Sequence, residues 1–329
     1  MATSPAVPGP LTAVSRRRRT LPSGIEVTVS VPATSANLGP GFDTMGLALD
    51  LRDEVTVRTL ESGEGFHAQV TGEGAGQLPT DGRHLIITTV RAQLARAGWD
   101  VGGLELTAQN RIPHGRGLGS SATAHATSVL IAQALLPAGE RSTDEQVLDA
   151  ASALEGHPDN VAPALSGGLA LSWQDAEGYR SVRLEPHAHL VPVIAVPSEP
   201  LSTETARGLL PDQVSHADAA ANAGRAALLV HGLTTDPSVL LAATEDRLHQ
   251  QFRAPAMPES LALVRSLRSE GLPAVVSGAG PTVLVLTSSP QQAAQTEHHI
   301  RQATAASAQQ WRVSVLPVDR AGAKVKGHR

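Results

Sequence analysis

The run Pro113-His114-Gly115-Arg116-Gly117-Leu118-Gly119-Ser120-Ser121-Ala122 constrains the fold of this chain more than any other segment. Its alternating glycines allow a tight loop that brings bare backbone close to a guest. Ahead of it, Leu104 to Ala108 alternates as a strand does. Behind it, Ser120 to Leu136 is rich in Ala, Leu, Val and Ile, holds no Gly or Pro, and stops at Pro137, which is the pattern of a buried helix. A strand, a loop of small residues and a helix N-terminus in succession form an anion site, because free N–H groups and the positive end of the helix dipole converge there. Phosphate is the natural guest. The run lacks the Gly-Lys-Ser/Thr ending of a Walker loop, the placement of a dinucleotide fingerprint and the Gly-x-Ser-x-Gly elbow of a hydrolase.

Around this loop the chain reads as α+β. Ile25, Val27, Val29 and Val31 alternate with Glu26, Thr28 and Ser30, so ordered structure is expected from Ile25. Residues 1–24, with several Pro, no acidic residue and the run Arg16-Arg17-Arg18-Arg19, are expected to form a disordered tail. Strands are predicted over Met45 to Leu51, Glu54 to Leu60 and Phe66 to Thr71, and a helix from Leu85 that stops at Gly98. Thr143 and Gln146 form a capping box for a helix reaching about Leu154. Gly168 to Trp173 and Ser181 to Leu184 read as strands, and the polar stretch Gln174 to Gly178 between them is the expected passage between domains. The N-terminal domain is thus placed at 25–178 and the C-terminal domain at 179–329. In the latter, strands at Leu190 to Val196, Ala274 to Ser277, Val283 to Thr287 and Arg312 to Val318 alternate with helical stretches in a βαββαβ order with an extra helix.

Composition narrows the function. A chain of 329 residues, 41% hydrophobic and 17% charged, can bury cores for about two domains. It has no cysteine, which removes disulfides, thiolate metal sites and a cysteine nucleophile and fits a cytoplasmic setting. A formal charge of −5 supplies no field to recruit nucleic acid or an anionic membrane. No apolar run reaches the ~18 residues of a membrane span. The expected partner is a small molecule, and a homodimer is compatible with all of these features.

Pro113 to Ala122 resembles the central ATP-binding motif of the GHMP kinases, the family of galactokinase, homoserine kinase, mevalonate kinase and phosphomevalonate kinase. Val31-Pro32-Ala33-Thr34-Ser35-Ala36-Asn37-Leu38-Gly39-Pro40-Gly41-Phe42-Asp43 resembles the N-terminal motif of that family, and Ser277-Gly278-Ala279-Gly280-Pro281-Thr282 its C-terminal glycine motif. The Thr-Ser-Ala-Asn-Leu-Gly-Pro-Gly-Phe-Asp form is similar to the homoserine kinase branch. So are Glu155-Gly156-His157-Pro158-Asp159-Asn160-Val161-Ala162-Pro163, Leu201-Ser202-Thr203-Glu204-Thr205-Ala206-Arg207 and Leu248-His249-Gln250-Gln251-Phe252-Arg253.

The resemblance implies a two-domain GHMP kinase fold, with a β-rich N-terminal ATP-binding domain and a ferredoxin-like C-terminal domain. It implies ATP with Mg²⁺ and L-homoserine as substrate, a step of threonine biosynthesis. ATP is then expected on Pro113, His114, Gly115, Arg116, Gly117, Leu118, Gly119, Ser120, Ser121, Ala122 and Thr123. His84 stands where the family usually has an Asn at the nucleoside, and a histidine can still donate a hydrogen bond. Ser121 and Glu155 are the implied Mg²⁺ ligands. Asn160 would orient the substrate hydroxyl, and Asp159 is either a base or an electrostatic partner. Arg207 and Arg253 match carboxylate-binding arginines, Asn37 and Asp43 the groups at the amino end, and Thr203 a support for the phosphate or metal region. Taken as isolated residues, these would be surface charges or caps. Two other readings remain at this point: a GHMP kinase acting on a mevalonate-like acid, and a non-catalytic sensor on the same fold.

Overall fold

The computed structural model describes residues 18–328, so Arg16 and Arg17 of the basic run lie outside the described residues. Its strands are β1 (Arg19–Thr20), β2 (Glu26–Ala36), β3 (Met45–Leu60), β4 (Gly65–Gly72), β5 (Trp99–Asp100), β6 (Gly103–Asn110), β7 (Leu169–Asp175), β8 (Gly178–Leu184), β9 (Val191–Pro197), β10 (Ala274–Val276), β11 (Val283–Thr287), β12 (Trp311–Val315) and β13 (Lys324–His328). The helices are α1 (Leu85–Arg96), α2 (Ser120–Leu135), α3 (Asp144–Glu155), α4 (Val161–Ser166), α5 (Thr203–Arg207), α6 (His216–Thr234), α7 (Leu240–Ala243), α8 (Pro258–Ser269) and α9 (Pro290–Ala303).

The N-terminal sheet runs β13-β2-β3-β6-β4, with β7 paired to β3 and β8 to β7. Alternation in β2 buries Val27, Val29 and Val31 against Ile87, Val90 and Leu94 of α1 and Ile131 and Leu135 of α2. The capping box at α3 forms, with Thr143 Oγ1 accepting from the Gln146 N–H and the Gln146 side chain accepting in return. The C-terminal sheet has the order β10-β11-β9-β12, antiparallel throughout, which is the ferredoxin-like arrangement. An apolar seam joins the two sheets: Leu38, Leu47, Ile112 and Leu118 pack with Ile194, Leu229, Val275 and Leu284. Leu118 belongs to the glycine loop, so the loop is anchored in the core at its centre.

Four expectations are corrected. Ordered structure starts before Ile25: β1 pairs in parallel with β5, and Leu21 is buried. The basic run read as solvated, yet the Arg19 guanidinium lies 4.1 Å from the centre of the Trp99 ring and pairs with Glu140. The stretch Gln174 to Gly178 closes the β7–β8 hairpin, with its turn at Ala176 and Glu177, so the chain leaves the first sheet after Leu184, and β13 brings its far end back to pair with β2. Finally, β3 is one strand of 16 residues where two were expected. The two expected strands stopped on either side of its central charges, Arg52 and Asp53, but both are satisfied within the fold. Arg52 pairs with Asp319, and Asp53 Oδ1 accepts the N–H groups of Arg111 at 2.6 Å and Ile112 at 2.9 Å. The irregularity appears instead as a register shift opposite Pro32, which has no N–H to donate.

Candidate active site

The glycine loop joins β6 to α2 with its carbonyls turned inward. Leu201 N–H donates to Gly115 O at 2.9 Å, Thr282 N–H to Arg116 O at 3.3 Å, Ser277 Oγ to Gly117 O at 2.6 Å and Thr34 N–H to Leu118 O at 3.1 Å. Among the described residues no N–H from Gly115 to Ser121 has a protein acceptor. These donors, with the N-terminus of the 16-residue α2, make an electropositive cradle. Glycine is required at two places. Gly117 has φ 73° and Gly119 φ 72°. A Cβ at Gly117 would collide with the Ser277 and Gly280 carbonyl oxygens, and one at Gly119 with the Thr34 hydroxyl.

Two bays open on this cradle. One, of about 100 Å³, is lined by Asn37, the loop from Gly115 to Ser121, Glu155, His157, Asp159, Asn160, Thr203, Arg207, Arg253 and Gly278. The other, of about 470 Å³, is walled by Val55, Leu78, Pro79, His84, Ile86, Thr123 and Ala124, and shares Gly115, Ser120 and Ser121 with the first. A polar bay and an apolar bay meeting at an anion cradle suit a molecule with a flat apolar end and a phosphate chain.

In the polar bay, Ser121 Oγ donates to Glu155 Oε2 at 2.7 Å. Burial pushes the Glu155 carboxyl above its ordinary range, opposed by the Ser121 bond and the neighbouring His157. The His157 Nδ1 lies 2.7 Å from Asp159 Oδ1, and its Nε2 3.9 Å from Glu155 Oε1. Burial disfavours its charge, but the bond and charge of Asp159 outweigh that, and His157 is held above its usual value. Asn160 Oδ1 accepts from Thr34 Oγ1 at 2.8 Å, while its Nδ2 donates to Asp159 at 3.3 Å.

The far wall is cationic. Arg207 forks onto Asp43, with 3.0 Å from Nη1 to Oδ2 and 2.6 Å from Nη2 to Oδ1. Arg253 is 1% exposed and has no carboxylate contact among the described residues. Its Nη1 donates to Gly278 O and His249 Nδ1, both at 3.0 Å, its Nε to Ala206 O at 3.3 Å, and its Nη2 to no group among the described residues. Burial, then the charge of Arg207, push it down to about 10, so it is a cation at neutral pH. Asn37, in a left-handed turn at φ 67°, donates to Gly278 O and accepts the Asp43 N–H.

Of the residues singled out in the sequence, most meet in this cleft, and some do so only through backbone. Arg116 turns its guanidinium away, onto the carbonyls of His114, Pro197 and Ser198, and fastens the loop to the end of β9. Ala122 is buried in the core beside α3, and Pro113 lines neither bay. His84 caps α1, its Nδ1 accepting the Ile86 N–H at 3.3 Å. Burial lowers its basicity, so it is neutral and carries its proton on Nε2. Thr34, His157 and His125, whose Nε2 is 3.7 Å from Glu155, received no role from the sequence although Thr34 and His157 stand inside quoted motifs. A role that depends on a partner more than 100 positions away, as Thr34 and Asn160 do, has no local signal.

Comparison with known proteins agrees with this geometry. The model of the GHMP kinases N terminal domain matches residues 84–168, and that of the GHMP kinases C terminal domain residues 235–306. The chain is 52% identical to homoserine kinase of Streptomyces coelicolor over 91% of its own length and 94% of the relative's. It is 47% identical to homoserine kinase of Clavibacter michiganensis over 94% and 96%. Among solved structures, a homoserine kinase from Cytophaga hutchinsonii superposes with a TM-score of 0.81 at 29% identity, covering 92% of this chain and 97% of that one. The two-lobed fold, the glycine cradle and these matches together place the chain in the homoserine kinase family of the GHMP kinases, ATP-dependent enzymes.

Proposed function

We propose that the chain transfers the γ-phosphoryl group of ATP to the hydroxyl of L-homoserine, giving O-phospho-L-homoserine for threonine biosynthesis in the cytoplasm. The observation that carries this reading is Arg253. A buried guanidinium with a free Nη2, facing a bay that also holds Asp159 and Asn160, needs an anion to offset its desolvation, and a planar carboxylate fits it. Arg207 supplies a second grip on that carboxylate, and Asp43 and Asn37 receive the ammonium. The triphosphate lies on the N–H groups of the loop, with its base in the apolar bay beside the His84 Nε2–H.

Glu155 and Ser121 bring two oxygen donors to one point beside the cradle, which suits Mg²⁺, an ion that takes oxygen ligands and keeps several waters. Bound there, Mg²⁺ would neutralise phosphate charge. Asn160, fixed by Thr34, orients the substrate hydroxyl. Asp159 already accepts from His157 and Asn160, which favours an electrostatic role over that of a base. Phosphoryl transfer asks the protein mainly for such positioning. Thr203 stands at the start of α5 and borders the phosphate region.

Two measurements check this reading. ADP release assayed with homoserine, mevalonate, galactose and shikimate is expected with homoserine far above the rest; turnover of mevalonate or galactose at a comparable rate overturns it. Gly117→Val is expected to raise the ATP Kd by at least roughly tenfold, through a forbidden backbone conformation and two carbonyl clashes at the cradle. Titration calorimetry on the folded variant reads this directly, and unchanged ATP affinity would show that the loop holds something else.

A further inference from the structure

Arg253 poses a question that its role as a carboxylate grip does not answer: what aims it. A guanidinium in the interior would ordinarily be fixed by a carboxylate, which would also cancel the charge a substrate anion needs. Here the contacts are two backbone carbonyls and one imidazole nitrogen, all neutral acceptors.

The imidazole belongs to His249, which is fully buried. Its Nε2 lies 2.8 Å from Gly39 O, an acceptor only, so the proton must sit on Nε2. Nδ1 is then a lone pair, and it faces Arg253 Nη1 at 3.0 Å, which can only donate. Both bonds demand the same tautomer. The ring is held flat by Phe42, stacked 5.1 Å away at an interplanar angle of 28°. Phe42 itself lies under both arginines, 5.6 Å from Arg207 and 5.7 Å from Arg253. The charged groups around the ring are Asp246, with Oδ1 3.7 Å from Nε2, and Arg253 on the opposite edge, with Asp43 farther off. Burial first, and the adjacent Arg253 charge, disfavour protonation against the pull of Asp246, so the neutral form is the one the fold keeps. A protonated ring would point an N–H at a guanidinium.

We propose that His249 is a positioning residue for the substrate carboxylate: its neutral Nε2–H tautomer, pinned by the Gly39 carbonyl, offers Nδ1 to Arg253 and holds that guanidinium toward the cleft without a competing anion. This rests on Arg253 gripping the substrate. The same imidazole ties Gly39, in the turn that carries Asn37 and Asp43, to Arg253, so both ends of an amino-acid substrate are registered through one ring.

The test separates the two bonds by substitution in the full chain. Asn places its amide oxygen where Nδ1 stands and keeps the acceptor for Arg253; Gln places its amide nitrogen where Nε2 stands and keeps only the donor to Gly39. Loss of one buried hydrogen bond to a charged group corresponds to roughly tenfold in binding. His249→Gln is expected to raise the homoserine KM about tenfold, with kcat and the ATP KM within about twofold, whereas His249→Asn stays within about threefold of the parent. In an Arg253→Ala background, His249→Gln is expected to add less than about twofold, because the arginine it aims is gone. Equal KM increases for Gln and Asn, or a full-sized increase in the Arg253→Ala background, overturn the proposal and leave His249 a support for the Gly39 turn. If His249→Gln does not fold, ¹⁵N spectra of the unaltered protein decide, with the His249 signal assigned by its loss in His249→Asn. An Nε2–H tautomer unchanged between about pH 6 and 9 supports the proposal, and an Nδ1–H tautomer or a titrating ring overturns it. If the parent enzyme does not turn over homoserine at all, it is the substrate assignment that fails, a distinct outcome.

Discussion

Glu155→Gln is expected to lower kcat by at least two orders of magnitude, about 3 kcal/mol or more in the barrier, while the protein stays folded. Glutamine keeps the shape of the side chain and an oxygen for the Ser121 hydroxyl, 2.7 Å away, so the variant removes charge and little else. The Mg²⁺ concentration for half-maximal rate should rise, since a neutral amide is a poor ligand for a hard cation. The Glu155 carboxyl is raised by burial, and the sign of its effect on stability follows. An acid whose folded pKa is raised favours the fold in its protonated form, and that contribution is lost as pH rises through the folded pKa. Gln cannot ionise, so Glu155→Gln should melt at the same or a higher temperature than the parent at neutral pH. A variant with parental kcat at limiting Mg²⁺ would remove Glu155 from the site.

Arg253→Ala is expected to raise the homoserine KM by roughly a hundredfold, the upper end of the ~1.5–3 kcal/mol of a charge-assisted contact. The ATP KM should move less than about threefold. Arg207→Ala should cost less, nearer tenfold, because Arg207 is part exposed and already forked onto Asp43. Arg253→Lys should rescue only partly, since an ammonium keeps the charge but not the planar pair of donors. Steady-state kinetics with each substrate varied in turn checks all three. Equal effects of the two Ala changes would contradict the distinction drawn from burial and pairing.

Much of this site was legible in the sequence because it is written in contiguous runs. The glycine loop announces itself through residues whose conformation no other side chain tolerates, and Glu155 to Asn160 stand within one short segment. What was missed depends on distant partners. Arg116 looked like a phosphate ligand, but three carbonyls from its own loop and the end of β9 claim its guanidinium. Arg52 and Asp53 broke the expected strand in two because their partners, Asp319 and the Arg111–Ile112 backbone, lie far along the chain. The strand β13 was overlooked because Lys324 to His328 carries little apolar alternation; it exists because β2 has an open edge to be paired. The hairpin closed by Gln174 to Gly178 shows the same limit, since a polar stretch marks a surface turn without saying whether a domain or a strand follows.

The central claim is that the cleft selects an amino-acid alcohol through its carboxylate and phosphorylates its hydroxyl. The most direct test is kcat/KM for homoserine and for 3-amino-1-butanol, which carries a methyl group in place of the carboxylate, in the parent enzyme and in Arg253→Ala, with the phosphomonoester product identified by ³¹P NMR. The parent should prefer homoserine by roughly a hundredfold or more. Arg253→Ala should erase most of that preference by losing activity on homoserine alone, because a contact that 3-amino-1-butanol never makes cannot be lost. Equal kcat/KM for the two alcohols in the parent, or a preference that survives intact in Arg253→Ala, would contradict the claim.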